Sequence, residues 1–443
     1  MKFLKMKMIA QFWKQKRRQL QRLPQFNGFP SRDNVKKIIY KLFFYGFFSI
    51  LIGILVGIAT TIFGQGLLYL NALRDEHPFY FIPFLGVAGC AIMFVYIRYG
   101  GRAQKGMGLL FDVGYGKEKD VPLRMVPLTI FSTWTTHLFG GSAGREGVAV
   151  QIGATISMQF ARFYATPESR NILLSCGMAA GFAGLFGTPI AATFFALEVL
   201  IVGTIYYDAL LPTILTAYVS SFTARSLGLL PMHMPIGFVP EMTSRLMAIT
   251  IGVGVLFGAI GWLFSWLLNH LRVYFALLIH HPMLRIFIIG SLLSILLIFG
   301  HAERYAGLSD HIFVAAFTGG DVYPWDWILK LLFTVVTLAA GFQGGELTPL
   351  FVIGAAVGSA VAIFLGLPVA LFAAMGCVAV FGSATKTMFT PIFIGAEVFG
   401  AQGIPFFILV AIVAFIISGH YGIYTGQQFF TNRLRFREEN NNQ

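Results

Sequence analysis

Long apolar runs follow one another along most of the chain, and this feature limits the fold more than any other. Hydrophobic residues make up 56% of the 443 residues, charged residues only 12%, and the mean hydropathy is +0.74. A soluble core cannot bury so much apolar surface, so we predict an all-α polytopic protein of the lipid bilayer. The apolar runs cover about 38–71, 78–98, 126–140, 147–165, 171–203, 204–225, 243–279, 284–300, 327–342, 347–365, 366–385 and 388–430.

Several of these runs are too short to cross a bilayer, since one span needs roughly 20 residues. Glycine and proline interrupt them, for example at Gly140-Gly141 and at Gly344-Gly345. Broken helices expose free backbone N–H groups at mid-membrane, an arrangement that is typical of transporters with ion sites. The pattern therefore favours a transporter over a receptor or an anchor.

A weak internal repeat divides the chain into two parts. An Ile-Gly-Ala triplet at 152–154 recurs at 353–355, an offset of 201 residues, and a glycine-rich break precedes each copy. We predict one duplicated membrane domain over 38–431, with halves at about 38–226 and 242–431. A loop rich in proline, methionine and glycine joins the two halves.

The segments that flank the membrane domain are polar. Twelve Lys and Arg residues but one acid lie between Met1 and Lys41, so the basic segment 1–37 and the polar tail 432–443 are predicted to be cytoplasmic. The basic segment can bind anionic lipid as a surface helix. Nucleic-acid binding is the competing interpretation of a basic arm. We set it aside because the charge lies directly before a membrane span.

Four acids lie inside the apolar repeats: Glu146, Glu198, Glu346 and Glu397. A carboxylate at bilayer depth is costly unless it is paired, protonated or in a wet path. For Glu198 and Glu397 we favour a structural role, in which each accepts hydrogen bonds from a neighbouring helix end. Glu146 and Glu346 adjoin glycine-rich breaks with free amides, and for them we favour a role in transport.

The stretch from Gly140 to Gly153, with its Gly-Arg-Glu-Gly core, resembles the signature of the CLC family of anion channels and anion/proton antiporters. The resemblance covers about 38–424 and implies the CLC inverted-repeat fold, as a homodimer with one pathway in each subunit. It also implies that Glu146 is the external gate. By the same resemblance, Gly144, Arg145 and Gly147 form an anion site at the helix start.

Other positions resemble the bacterial fluoride/proton antiporter branch of that family. Met107 replaces the serine that chloride-type members use, and Glu346 and Thr348 stand in the loop Gly-Glu-Leu-Thr-Pro. Tyr424 matches the central tyrosine. These matches imply fluoride export by fluoride/proton antiport across a bacterial inner membrane. A chloride/proton antiporter or a chloride channel remains the alternative, supported by Val199, which the fluoride branch has and channels share.

Fluoride chemistry is consistent with these changes. The ion is small and strongly hydrated, so it needs strong donors, and the Thr348 hydroxyl is one. Phe111 either presents a positive ring edge to the ion or is a core aromatic. Glu346 either carries protons in place of the missing internal acid or caps a helix start.

No cofactor or metal site is predicted. Cys90, Cys176 and Cys377 all lie in apolar stretches, and His137 and His420 lack partners at ligand spacing, so we interpret all five as structural. No phosphate loop, dinucleotide fingerprint or zinc-protease motif is present. An intramembrane hydrolase or lipid-modifying enzyme is the alternative from another class. The expected partners are fluoride or chloride, protons, the bilayer and a second copy of the chain.

Overall fold

Glycine and proline divide the membrane region into helices of unequal length, as the interrupted runs predict. The computed structural model describes residues 32–163, 166–299 and 302–430. The helices of the first half are α1 (Arg32–Glu76), α2 (Pro78–Phe81), α3 (Leu85–Val95), α4 (Met107–Gly114), α5 (Met125–Leu138), α6 (Glu146–Met158), α7 (Pro167–Phe186), α8 (Pro189–Glu198) and α9 (Leu210–Ser226).

The second half repeats this alternation of long and short helices. Its helices are α10 (Ser244–Leu278), α11 (Pro282–Phe299), α12 (Asp310–Thr318), α13 (Asp326–Ala340), α14 (Leu347–Leu365), α15 (Val369–Thr385), α16 (Phe389–Ile394) and α17 (Ile404–Ile417). Two π-helical turns lie at Tyr96–Gly100 and Gly395–Phe399. Short 3₁₀ turns lie at Ile82–Phe84, Gly101–Lys105, Gln159–Phe163, Tyr207–Ala209, Ala302–Tyr305 and Ala401–Gly403. Two parallel strands, β1 (Ile201–Val202) and β2 (Gln428–Phe429), pair with each other.

Among the described residues, five helical stretches are long and apolar enough to cross a membrane. They are Phe43–Glu76, Pro78–Gly114, Ser244–Leu278, Pro282–Phe299 and Leu347–Leu365. The remaining apolar helices are shorter, which confirms a polytopic protein with broken helices. No helix lies between α9 and α10, and the linking loop rich in proline, methionine and glycine, at about 227–241, lies there as predicted.

Residues 48–430 form one structural unit, and the described residues before Phe48 are not part of it. All the sites described below lie in the unit that begins at Phe48. Residues 1–31 of the predicted basic segment and the whole predicted tail at 432–443 lie outside the described residues.

Each half contains an equivalent close helix crossing, which supports the predicted duplication. A Cβ atom added to Gly153 would lie 2.1 Å from the carbonyl oxygen of Gly177, so α6 and α7 touch backbone to backbone. In the second half, a Cβ added to Gly354 would lie 2.2 Å from the carbonyl oxygen of Gly376, on α14 and α15. Small residues permit this approach in membranes, and each crossing falls on the glycine of an Ile-Gly-Ala triplet.

Two acids, the buried Glu198 and the half-buried Glu397, tie the halves together, since each caps a helix of the opposite half. The Glu397 carboxylate accepts hydrogen bonds from the N–H groups of Ile190 (3.1 Å) and Ala191 (2.8 Å), at the start of α8. The Glu198 carboxylate, at the end of α8, accepts three backbone N–H groups at the start of α16, the shortest at 2.7 Å from Thr390 N. The Thr390 hydroxyl donates to it as well. These contacts confirm the structural interpretation of both acids.

We expect Glu198→Ala to destabilise the protein by about 2–4 kcal/mol, because it leaves three backbone N–H groups and the buried Thr390 hydroxyl without this acceptor. Glu198→Gln, which retains one acceptor oxygen, should cost less. Thermal unfolding in detergent measures both, with Glu241→Ala on the exposed linking loop as the control. An unfolding temperature of Glu198→Ala equal to that of the control contradicts the capping role.

Candidate anion pathway

The glycine breaks of the two halves meet in a small antiparallel bridge. Gly144 N donates to Gly345 O at 2.6 Å, and Gly345 N donates to Gly144 O at 2.7 Å. A Cβ on Gly144 would lie 2.8 Å from the Thr348 hydroxyl oxygen, and one on Gly345 would lie 3.0 Å from Gly147 N. A side chain on Gly144 would therefore displace its neighbours, and one on Gly345 would be tightly packed against backbone. The bridge brings the first turns of α6 and α14 to one place.

The bridge also corrects the alignment of the two breaks. Gly144 lies opposite Gly345, the same offset of 201 residues as the Ile-Gly-Ala triplets. Glu346 therefore corresponds to Arg145 in the repeat, and Glu146 corresponds to Leu347. Glu146 is the first residue of α6, whereas Glu346 directly precedes the first residue of α14. The two acids are not equivalent, and they contact different partners.

Glu146 is fully buried at the bridge. Its Oε2 accepts a hydrogen bond from the Thr348 hydroxyl and lies 3.4 Å from Arg145 N. Among the described residues its Oε1 has no hydrogen-bond partner, although Arg145 Nε is 3.5 Å away. The carboxylate thus occupies hydroxyl and amide donors at a helix start, which are groups that also bind a small anion.

A polar cavity of about 260 Å³ reaches the second glycine break, since Gly344 is part of its wall. Three predicted site residues, Met107, Glu346 and Tyr424, line it, while Glu146 and Thr348 lie at the bridge. Other residues that line the cavity are Gln104, Lys105, Phe111, Gln151, Arg272 and Gln343.

Tyr424 presents an available donor at the cavity wall. Its hydroxyl is buried and has no hydrogen-bond partner among the described residues, and the same is true of Gln151 Oε1. Buried polar atoms are almost always satisfied, so unpartnered ones at a cavity wall indicate a ligand or water. Phe111 packs against Tyr424 with ring centroids 5.6 Å apart. Phe111 is thus both a core aromatic and part of the wall.

Glu346 lies at the cavity and pairs with a cation from α10. Arg272 Nη2 is 3.2 Å from Glu346 Oε1. Glu346 is the N-cap residue of α14, yet its side chain makes no capping hydrogen bond. The alternative in which Glu346 merely caps this helix therefore lacks the contact that it requires.

His137 connects two parts of the first half. Its ring nitrogens lie 2.8 Å from Thr133 O and 3.0 Å from Ala143 O, and the side chain is fully buried. Ala143 belongs to the glycine-rich break, so the ring holds the end of α5 against that break. This geometry agrees with the structural interpretation of His137.

The model of a family described as voltage gated chloride channel matches residues 88–419. The chain belongs to the CLC family. This CLC chain is 38% identical over 386 residues to the chloride/fluoride channel protein of Pseudomonas syringae pv. tomato, and the match covers 85% of each chain. It is 28% identical over 228 residues to the voltage-gated ClC-type chloride channel ClcB of Citrobacter koseri, covering 49% of this chain and 53% of that one.

Solved structures agree with the family. The CLC chain resembles the crystal structure of a CLC-type fluoride/proton antiporter at 44% identity and a TM-score of 0.86, covering 88% of this chain and 99% of that one. A slow cyanobacterial Cl⁻/H⁺ antiporter shares the fold, with a TM-score of 0.72 at 18% identity over 90% of this chain and 99% of that one. The predicted CLC-type fold is confirmed.

Lys330 is a site residue of this CLC protein that was not predicted from its sequence. The side chain is fully buried on α13. Its Nζ donates to Gly307 O (2.8 Å), Ser309 Oγ (2.9 Å) and Ser142 Oγ (3.0 Å). Ser142 lies within the glycine-rich break just before Glu146. Lys330 therefore anchors the Ser142 side chain in the segment that leads into α6.

We expect Lys330→Met to lower both stability and anion flux, because it leaves buried oxygens unpaired and loosens the break before Glu146. The loss of stability should be about 2–4 kcal/mol. Thermal unfolding and flux in liposomes measure the two effects. Lys119→Met, the same change at an exposed position, is the matched control, and equal behaviour of the two variants argues against this role.

Proposed function

We propose that this CLC protein exports fluoride from the cell in exchange for entering protons. The hydrogen bond between Glu146 and Thr348 at the glycine bridge is the observation that carries the proposal. By the family resemblance, Glu146 is the gate and Thr348 marks the fluoride branch, and this hydrogen bond joins the two residues. Similarity to a CLC-type fluoride/proton antiporter over 88% of the chain supports the same reaction.

The donors near the bridge suit fluoride. A small, strongly hydrated ion gives up its water only where strong donors replace it. Arg145 N and the Thr348 hydroxyl lie 3.3 Å apart at the helix start, and the Tyr424 hydroxyl is unpartnered. Met107 brings a thioether to the cavity where chloride-type members have a serine. The cavity wall thus lacks the serine hydroxyl associated with chloride, while Arg145 N and the Thr348 hydroxyl remain as donors at the bridge.

Competition for these donors couples the two ions. While Glu146 is ionised, its carboxylate holds the Thr348 hydroxyl and excludes an anion. When Glu146 takes up a proton, it loses its charge and releases the donors to fluoride. Glu346, on the cavity side of the bridge, carries the proton onward. In this arrangement the cavity opens towards the cytoplasm, and Glu146 lies on the side of the external solution.

Chloride transport by the same pathway is the second candidate. Val199, which follows Glu198, stands where chloride antiporters keep an internal acid, and channels share that feature. ClcB of Citrobacter koseri carries the name of a chloride channel. Family membership favours transport over the intramembrane-enzyme alternative.

The proposal includes an arrangement in the membrane. The basic segment at 1–37 and the tail at 432–443 lie in the cytoplasm of a bacterial cell, and the basic segment contacts anionic lipid of the inner membrane. The domain spans 38–431, with halves at about 38–226 and 242–431. Two copies form a homodimer, and each copy has its own pathway.

Flux from liposomes tests the proposed function directly. Purified protein should release fluoride faster than chloride, and an imposed pH gradient should drive fluoride against its own gradient. Chloride release at the greater rate would favour the second candidate. Fluoride release that no pH gradient can drive uphill would favour a channel.

Glu146→Gln should abolish proton coupling, because the amide keeps the shape of a protonated acid and cannot ionise. We expect passive fluoride flux without uphill transport, measured with a fluoride electrode under an imposed pH gradient. Glu241→Gln, on the linking loop, is the matched control. Uphill fluoride transport by Glu146→Gln contradicts its role as the gate.

Met107→Ser should lower the fluoride/chloride flux ratio by adding a hydroxyl that chloride can use. Thr348→Val should lower it by removing a donor to fluoride. A hydrogen bond to an ion contributes about 1.5–3 kcal/mol, so each ratio should change by about tenfold or more. An unchanged ratio in both variants argues against these residues lining the path.

A further inference from the structure

Arg272 is a cation of the polar cavity to which the family resemblance assigns no role. It lies near the end of α10, and its side chain is 38% exposed, whereas that of its partner Glu346 is 12% exposed. Within the described part of the chain, its one hydrogen bond runs from Nη2 to Glu346 Oε1. A guanidinium has five N–H donors. Most of the Arg272 donors therefore remain free for water or an anion.

Within the described residues, the structure gives Glu346 a side-chain hydrogen bond at one carboxylate oxygen. Its Oε1 pairs with Arg272, while a Cβ added at Gly147 would lie 3.6 Å from its Oε2. Gly147 directly follows the gate residue Glu146. The Glu346 side chain thus connects the cavity to the gate helix, and no capping bond to α14 holds it there.

The charges of the cavity are balanced in this state. Among the described residues that line it, Lys105, Arg272 and Glu346 are charged. Lys105 is paired outside the cavity wall, with Asp112 at 2.8 Å and Glu118 at 3.4 Å. Arg272 is paired with Glu346. An anion in the cavity therefore finds an unpaired cation only after Glu346 loses its charge.

We propose that Arg272 binds the anion on the cavity side, and that it pairs alternately with the anion and with Glu346. This inference rests on the proposed function. A proton that reaches Glu346 breaks the ion pair, and the freed guanidinium binds fluoride from the cytoplasm. When Glu346 releases its proton to the cytoplasm, the ion pair re-forms and the anion loses its cation. Proton arrival and fluoride recruitment are thereby linked. Arginine suits the role because its planar donors bind either partner.

Fluoride flux from liposomes, measured against fluoride concentration on the cavity side, tests the proposal. Arg272→Gln should raise KM by about tenfold, the size expected for a lost charge-assisted hydrogen bond. Arg272→Lys should restore part of this loss. Arg245→Gln removes a charge from the opposite end of the same helix and should leave KM unchanged. An unchanged KM in Arg272→Gln overturns the proposal.

Glu346→Gln gives a second readout that does not depend on how well the Arg272 variants fold. It leaves Arg272 unpaired at all times, so KM should fall several-fold while uphill transport is lost. A KM equal to or above that of the wild type overturns the proposal. In the double variant Arg272→Gln/Glu346→Gln, KM should stay high. Full rescue would mean that Arg272 merely neutralises Glu346, and it too overturns the proposal.

The test of Arg272 can be made whether the protein carries fluoride or chloride. If the wild-type protein moves chloride and no fluoride, the proposed function fails in the wild type itself. The same KM comparison is then made with chloride. The Arg272 inference fails only in the variants, so the two failures are distinguishable.

Discussion

The two hydrogen bonds between Gly144 and Gly345 are the contact on which the rest of the site depends. They hold the starts of α6 and α14 so close that a Cβ on Gly144 would lie 2.8 Å from the Thr348 hydroxyl oxygen, and one on Gly345 would lie 3.0 Å from Gly147 N. Helix starts carry unpaired N–H groups and a partial positive charge. Two of them meet here, beside the polar cavity that Gly344 and Glu346 line. A carboxylate or a small anion is stable at this point of the membrane and costly almost anywhere else.

The charged side chains fall into two groups: those whose hydrogen-bonding atoms are all paired within the protein, and those of the candidate pathway, which keep unpaired atoms. Glu198 and Glu397 have their oxygens occupied by helix starts of the opposite half, and Lys330 is surrounded by oxygen acceptors. By contrast, Glu146 Oε1 and the Tyr424 hydroxyl are buried without hydrogen-bond partners within the described structure, although Arg145 Nε lies 3.5 Å from Glu146 Oε1. Scaffold charges are satisfied inside the protein, whereas the pathway keeps donors and acceptors for a ligand. The same contrast marks Arg272, which uses only one of its donors.

The fold was largely predictable because lipid imposes simple rules. Apolar runs located the helices, and α10 follows the predicted run at 243–279 within a residue at each end. Glycine pairs located the breaks. The partner of Glu346 was not predictable, since Arg272 lies 74 residues away and tertiary packing brings them together.

The alignment of the two glycine breaks and the buried Lys330 were both predictable from the sequence. The offset of 201 already aligns Gly144 with Gly345, and hence Arg145 with Glu346. The cost of a buried charge applies to cations as well as acids, so Lys330 in the apolar run at 327–342 was a visible candidate. The unpartnered Tyr424 hydroxyl is a property of packing, and no residue pattern reports it.

Competition between the Glu146 carboxylate and fluoride for the same donors is the central claim. Calorimetric titration with fluoride near neutral pH, in buffers of different ionisation enthalpy, measures the protons taken up as the anion binds. The account predicts that the wild-type protein takes up protons on binding fluoride. Glu146→Gln should bind fluoride at least as tightly without the proton uptake that belongs to Glu146. Equal proton uptake by the two proteins would contradict the account.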